Sequence, residues 1–455
     1  MPAAEARQAE ASQRRRGGWW PFAAACFALF VLLVGSNLVT PLFPVYAKIY
    51  GLSPLGVSLL FATYALLVIP ALLIFGPLSD VKGRRELLTG AITLAAVAAG
   101  LFAAATVLAA LFAAQAVQAM ALGALQGTAA PTLVELDPSG DRRRASAIAS
   151  ALTVGGAAAG PLLAGLLAQY AVLPLRLVFL VEVVLLAAAL AAVTAGLPLR
   201  EQRERWRPRR PTVPEGIRRR FVVASISTSV AWAVAALFLS LIPSFVTTAL
   251  QGSLALAGGV VALMLGCAAI VQLTGYRLES LRAQTLGLVV MIPGLVALLA
   301  ADLSQSLAWL LAATVLGGTG MGLAFMGSLG DVNEIAPEDR KGDVVASYYV
   351  VVYIATVLPP IGVGALTVAT GPSTAIQAFA YAVIIICLVG LTGLIAETRA
   401  RRTQSELRHL GLGTAESQEN RRPYGRQAKE SPSAGHPHLR GSVGSRYWRG
   451  SRLLR

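Results

Sequence analysis

Apolar positions along this chain run in long unbroken blocks, and polar positions come in short bursts between them. Twelve blocks can be marked, at 19–47, 54–75, 87–108, 110–134, 145–170, 173–198, 221–247, 254–276, 284–301, 306–330, 343–370 and 374–396. A bilayer core is crossed by about 20 apolar residues in a helix, and each block is close to that length or longer. A lipid-exposed span must satisfy its own backbone, which leaves helices or a closed barrel. The period-2 alternation of a barrel strand is absent. The expected fold class is therefore an all-α membrane protein with 12 transmembrane helices. Composition agrees: 56% of residues are hydrophobic and 13% charged, against about 25% charged in an ordinary soluble domain.

The polar bursts alternate in charge. Of the 38 basic residues, all but Lys48 and Arg176 fall in every second turn or in the terminal segments. The positive-inside rule places those turns, and both termini, in the cytoplasm. The expected location is the cell (inner) membrane, multi-pass. The net charge of +15 is then explained by basic turns facing anionic headgroups, and no nucleic-acid partner is expected. Residues 1–18 read as a cytoplasmic segment, followed by Trp19 and Trp20 as an interfacial anchor. The first block is too long for a cleavable signal peptide and lacks a clean cleavage site. Residues 199–220 hold nine arginines and three prolines, too polar to cross, and divide the chain into bundles at 19–198 and 221–397. Residues 398–455 are basic and rich in Ser, Gly and Pro, with no apolar period, and read as a disordered tail.

The two halves repeat at an offset of 199 residues. Pro44 matches Pro243, Gly76 matches Gly275, Asp80 matches Glu279, Gly123 matches Gly322, Pro138 matches Pro337, Pro161 matches Pro360 and Gly165 matches Gly364. Parallel repeats of this kind are related by an axis along the membrane normal.

The turn after the second block reads Gly76-Pro-Leu-Ser-Asp80-Val-Lys82-Gly83-Arg84-Arg85. Gly76 admits a close neighbouring helix, Gly83 permits a sharp reversal, and Asp80 needs a partner from outside its own helix end. This decapeptide resembles the loop 2–3 signature of the major facilitator superfamily, Gly-x-Leu-x-Asp-x-x-Gly-Arg-Arg/Lys. The resemblance spans about residues 19–397 and implies two six-helix bundles that rock about a central site. It also implies a latch on the cytoplasmic face, made by Gly76, Asp80, Gly83, Arg84 and Arg85. Glu135 and Asp137 would pair with Arg84 or Arg85, and Asp80 would meet the start of helix eleven near Asp343–Ser347. A degraded second copy keeps Gly275 and Glu279, with Arg282 where Gly83 stands.

The fifth block contains Gly155-Gly156-Ala-Ala-Ala-Gly160-Pro161-Leu-Leu-Ala164-Gly165. It resembles the antiporter signature of the superfamily's exporters, carried here by Gly155, Gly160, Pro161 and Gly165, with Ala164 replacing one glycine. The resemblance implies export by antiport, commonly with protons. One position departs: exporters of this type carry an arginine early in helix four, and Gln115 stands there, three residues before Gln118-Ala119. Glu182, in the sixth block, is the candidate proton-coupling residue, since ionisable groups within a membrane are expensive and default to function. The rival reading makes it an interfacial partner of Arg176.

The family's cavity lies between the bundles. Its candidate lining residues are Asn37, Gln115, Gln118, Gln126, Trp232, Gln272, Phe325, Tyr348, Tyr349 and Tyr353, a neutral, aromatic set suited to an amphipathic solute. An organic phosphate would want paired arginines. The three cysteines lie in apolar blocks and the three histidines in the tail, so no metal, cofactor or catalytic triad is expected, and no enzyme activity. No Walker sequence is present. The expected partners are a small-molecule substrate, protons and the lipid bilayer, around a monomer. The expected function is export of amphipathic small molecules by proton antiport. A nutrient uptake symporter and a non-transporting sensor on the same fold are the alternatives.

Overall fold

A computed structural model describes residues 19–197 and 211–409. Twelve helices in it are long and apolar enough to cross a membrane. The first six are α1 (Trp19–Asn37), α2 (Pro54–Lys82), α3 (Arg84–Ala104), α4 (Leu108–Leu136), α5 (Arg142–Tyr170) and α6 (Pro174–Gly196). The second six are α7 (Arg218–Ser240), α8 (Leu254–Thr274), α9 (Ser280–Ser304), α10 (Leu307–Ile335), α11 (Lys341–Thr370) and α12 (Pro372–His409). Short helices continue α1 (Phe43–Tyr50) and α7 (Ile242–Thr248). Pro44 and Pro243 lie in the first turn of these two extensions, where a missing N–H costs nothing.

Several helices run past the apolar blocks. α2 was expected to stop at 75 and continues to Lys82, so the turn before α3 is the single residue Gly83. Gly83 has φ +92°, a conformation other residues avoid. At the far end of the chain, α12 continues to His409, so 398–409 are helical where a disordered tail was expected. The expected segments at 1–18 and 410–455, and most of the 199–220 linker, lie outside the described residues.

The chain alternates between two ends. At one end the connections are short, at 51–53, 105–107, 171–173, 249–253, 305–306 and Gly371; at the other lie the basic turns. Ser53 and Ser253 cap α2 and α8 at the short-turn end, each accepting from a backbone N–H three residues on, as N-caps do.

The repeat is visible in the packing. A Cβ on Gly123 of α4 would strike Ala71 of α2, and one on Gly322 of α10 would strike Ala268 of α8. Gly165 at the end of α5 lies against Leu254 and Gly258 of α8, while Gly364 at the end of α11 lies against Leu55 and Ser58 of α2. Leu254 is the repeat partner of Leu55, as Gly364 is of Gly165. The same contact is therefore made twice, in opposite directions across the interface. These reciprocal contacts bring the bundles together at the short-turn end. Gln169 Oε1 adds a bond there, accepting from the Leu254 N–H at 3.1 Å.

Candidate functional site

At the basic end Arg84, Arg85 and Arg220 each reach a partner in their own bundle. Arg84 Nη1 lies 2.7 Å from Glu135 Oε2 as an ion pair joining α3 to α4, off line for a hydrogen bond. Arg85 does not join it: its guanidinium donates to the Thr194 carbonyl at 2.6 Å, reaching α6. Asp137 meets neither arginine, contrary to expectation. Its carboxylate accepts from Ser139 Oγ at 2.5 Å and from the Asp141 N–H at 3.1 Å, closing the turn before α5. The Ser139 hydroxyl holds that carboxyl below its ordinary range, helped by Arg144. The difference is one of reach: a short aspartate one residue past a helix satisfies nearby turn donors first. The side chain of Asp80 and the surroundings of Gly76 lie outside the described residues. In the second copy Glu279 pairs with Arg282, 3.2 Å away, and a Cβ on Gly275 would meet the Val271 carbonyl and Met326.

The fifth-helix glycines act unequally. Gly155 faces open space. Gly156, one residue on, packs against Phe30 O and Leu33 of α1, and Gly160 packs against the Val34 carbonyl. On the opposite side, the Pro161 carbonyl and Gly165 abut Gly258 of α8. Small residues permit such backbone-to-backbone approach. α5 is thereby clamped between its own bundle and the other one.

Between the bundles, Gln126 Nε2 of α4 donates to Tyr353 Oη of α11 at 2.6 Å. Tyr64 of α2 lies beside both Ser36 and Tyr353. An aromatic row follows on the second bundle. Trp232 meets Phe325 edge-on at 5.4 Å, and Tyr348 lies between Phe325 and Tyr349. The Trp232 indole N–H has no bond among the described residues. Tyr348 was expected to line the cavity. It is fully buried, with its hydroxyl bonded to Thr228 and Ser328, so it holds α7, α10 and α11 together from within. Asn37 donates to Ser36 Oγ at 3.1 Å, and Gln272 is half-buried near the basic end of α8.

Glu182 is 3% exposed, and Arg176 is exposed and makes no ion pair with it among the described residues. The interfacial-pair reading of Glu182 is therefore overturned. The carboxylate points into the first bundle, where its Oε1 occupies the space a Cβ on Gly35 of α1 would take. That oxygen has no hydrogen-bond partner among the described residues. The Gln118 amide nitrogen lies 3.6 Å from the same position, and Gln115 and Gln118 are both buried. Gln118 therefore belongs with Glu182 in the first bundle's interior.

Sequence reading passed over three acids. Arg220 reaches Asp331 of α10 at 2.5 Å and approaches Glu397 of α12 at 3.7 Å, tying three helices at the basic end. Asp302, near the end of α9, accepts from Ser373 Oγ and from Gln377 Nε2 of α12. Asp331 and Asp302 each fall one residue beyond an apolar block, and an acid in that position is the signal that could have found them. No group of three or more His, Cys, Asp or Glu residues close enough to hold a metal occurs among the described residues.

Comparison with known proteins matches this arrangement to one family. The profile of the Major Facilitator Superfamily matches residues 25–360. The quinolone resistance protein NorA of Staphylococcus aureus is 25% identical over 143 residues, 31% of this chain and 37% of that protein. An uncharacterised MFS-type transporter of Mycobacterium tuberculosis is 27% identical over 177 residues, 39% of this chain and 25% of that one. The chain thus spans well under half the length of the curated relatives it matches. Among solved structures, a peptide transporter POT in complex with sulfate superposes with a TM-score of 0.70 at 13% identity, covering 82% of this chain and 94% of the other. A bacterial homologue of the human lysosomal transporter Spinster gives 0.65 at 14% identity, covering 84% and 96%. With twelve membrane-crossing helices in two repeated bundles and a family profile matched over most of its length, the chain belongs to the Major Facilitator Superfamily of membrane transporters.

Proposed function

We propose that the chain exports amphipathic small molecules by exchange for protons. The observation that carries this reading is Glu182: a carboxyl group sealed inside the first bundle, against the backbone of α1, with one oxygen unbonded. A charged carboxylate is costly away from water unless it is paired. Its protonation therefore depends on whether water reaches it, and rocking of the bundles changes that access. A proton taken up from one side and released to the other makes the cycle run in one direction, provided the two states bind it differently. The neutral Gln126–Tyr353 junction and the Trp232–Phe325 pair offer an apolar, hydrogen-bonding surface for the cargo. The partial likeness to a quinolone resistance protein agrees with this cargo class. The candidate cytoplasmic latch, with Asp80 as its acid, would hold the basic end shut in the opposite state.

The test is flux in proteoliposomes under an imposed pH gradient, with ethidium as an amphipathic probe. Ethidium should move against the proton flow, and Glu182→Gln should abolish gradient-driven movement while leaving downhill exchange intact. Ethidium moving with the protons would make the protein a symporter. Equal gradient-driven flux in Glu182→Gln would return this carboxyl to a structural role.

A further inference from the structure

A cavity of about 500 Å³ lies at the short-turn end. It shares no lining residue with the central site. The first bundle contributes Pro44 and Val57, and the second contributes Phe245, Thr248 and Ile376. Its volume lies within the range of small-molecule sites, which are mostly apolar with a few placed polar groups. One lining residue carries charge, and that is Asp302. Asp302 is 5% exposed. Its two side-chain bonds come from neutral donors, Ser373 and Gln377, which orient the carboxylate without cancelling its charge. At the repeat-related positions of the first half stand Ala103, Pro174 and Val178. The acid and both of its supports are therefore peculiar to one side of a molecule that otherwise repeats itself.

We propose that this cavity is a binding site for an amphipathic organic monocation. The cation's charge would face Asp302 and its apolar body the walls shared by the two bundles. A single fixed carboxylate in an apolar chamber favours one positive charge and rejects anions. Because both bundles build the walls, an occupant binds the state in which their short-turn ends touch. It must then stabilise that state and slow the transport cycle. This site does not rest on the export reading, since it would serve equally on a symporter.

The test uses tetraphenylphosphonium, with the size-matched anion tetraphenylborate as control, on the purified full chain by equilibrium dialysis. The phosphonium should bind and raise the melting temperature, and the borate should do neither. Asp302→Asn keeps the acceptor for Ser373 and Gln377, so its ligand-free melting temperature should match wild type. Its affinity for the phosphonium should fall about tenfold or more. Ser244→Trp, at another lining position, should abolish the Asp302-dependent part of the binding by filling the space. Phosphonium affinity unchanged in Asp302→Asn would overturn the proposal. So would equal binding of both ions, no phosphonium binding by the wild type, or binding that survives Ser244→Trp and is lost on Gln126→Trp in the central site.

Discussion

Gly35 and Glu182 make one unit, because the carboxyl oxygen of the second occupies the place of a side chain on the first. Glycine is required at position 35 by that close approach, and the requirement gives a test separate from deleting the acid. Gly35→Ala leaves the carboxyl group in the chain but drives it from its seat. Overpacking of this kind costs about 1–3 kcal/mol. The expected outcome is a lower melting temperature and loss of proton-driven flux, with Glu182 still present. Pairing the change with the shorter Glu182→Asp should recover part of the stability, since contacting residues do not act additively. Full additivity in thermal denaturation would show that the two positions do not share this space. The sequence exposed the acid but not its seat. Glu182 stood out as the one acid in an apolar block, whereas Gly35 is one small residue among many and its role comes from a helix far away in the chain.

At the scale of the element, α5 shows how a motif and its geometry come apart. The pattern assigns Gly155 and Gly160 equivalent standing, yet only Gly160 meets a neighbour, and Gly156 makes the contact expected of Gly155. A helix turns by 3.6 residues, so a run of glycines places some on the packed face and some off it, and spacing alone does not say which. Gly155→Ala should therefore leave melting temperature unchanged or raise it slightly, because alanine is the better helix former by about 1 kcal/mol. Gly160→Ala should destabilise by about 1–3 kcal/mol, as its Cβ meets the Val34 carbonyl. Equal effects in thermal unfolding would mean that α5 is rotated from the orientation described. The helices themselves were legible throughout, because hydropathy over about 20 residues is a strong and local signal. Helix ends were less so: α2 continues seven residues into a polar stretch, since its stop is set by Gly83 and not by the loss of apolar character. Ion-pair partners were least legible. Arg84 and Arg85 are neighbours in sequence, yet they point to different helices, α4 and α6.

The whole molecule is governed by how the two bundles meet, and the reciprocal glycine contacts set that meeting at the short-turn end. Gly258 of α8 faces the Pro161 carbonyl and Gly165 of α5, and Gly364 of α11 faces Ser58 and Pro54 of α2. Neither contact serves the interior of a single bundle; both close the interface between them. Bulk added at either glycine should therefore leave each bundle folded and push the short-turn ends apart. Such a change shifts the population towards the state open at that end, about tenfold for each 1.4 kcal/mol of added repulsion. Spin labels at Val172 and Gln251, exposed turn residues on opposite bundles, report the separation. Gly258→Val and Gly364→Leu should each lengthen that distance and slow exchange, with the double variant doing more of both. The repeat makes the prediction sharper, because two substitutions far apart in sequence must push the same equilibrium in the same direction. The cavity beside Asp302 adds a further constraint, as its walls part when the short-turn ends do. Both variants should then bind tetraphenylphosphonium more weakly although neither replaces a residue that lines the cavity. Unchanged label distances together with slowed exchange would place the glycines' effect inside the bundles and remove the short-turn contact as the closing device.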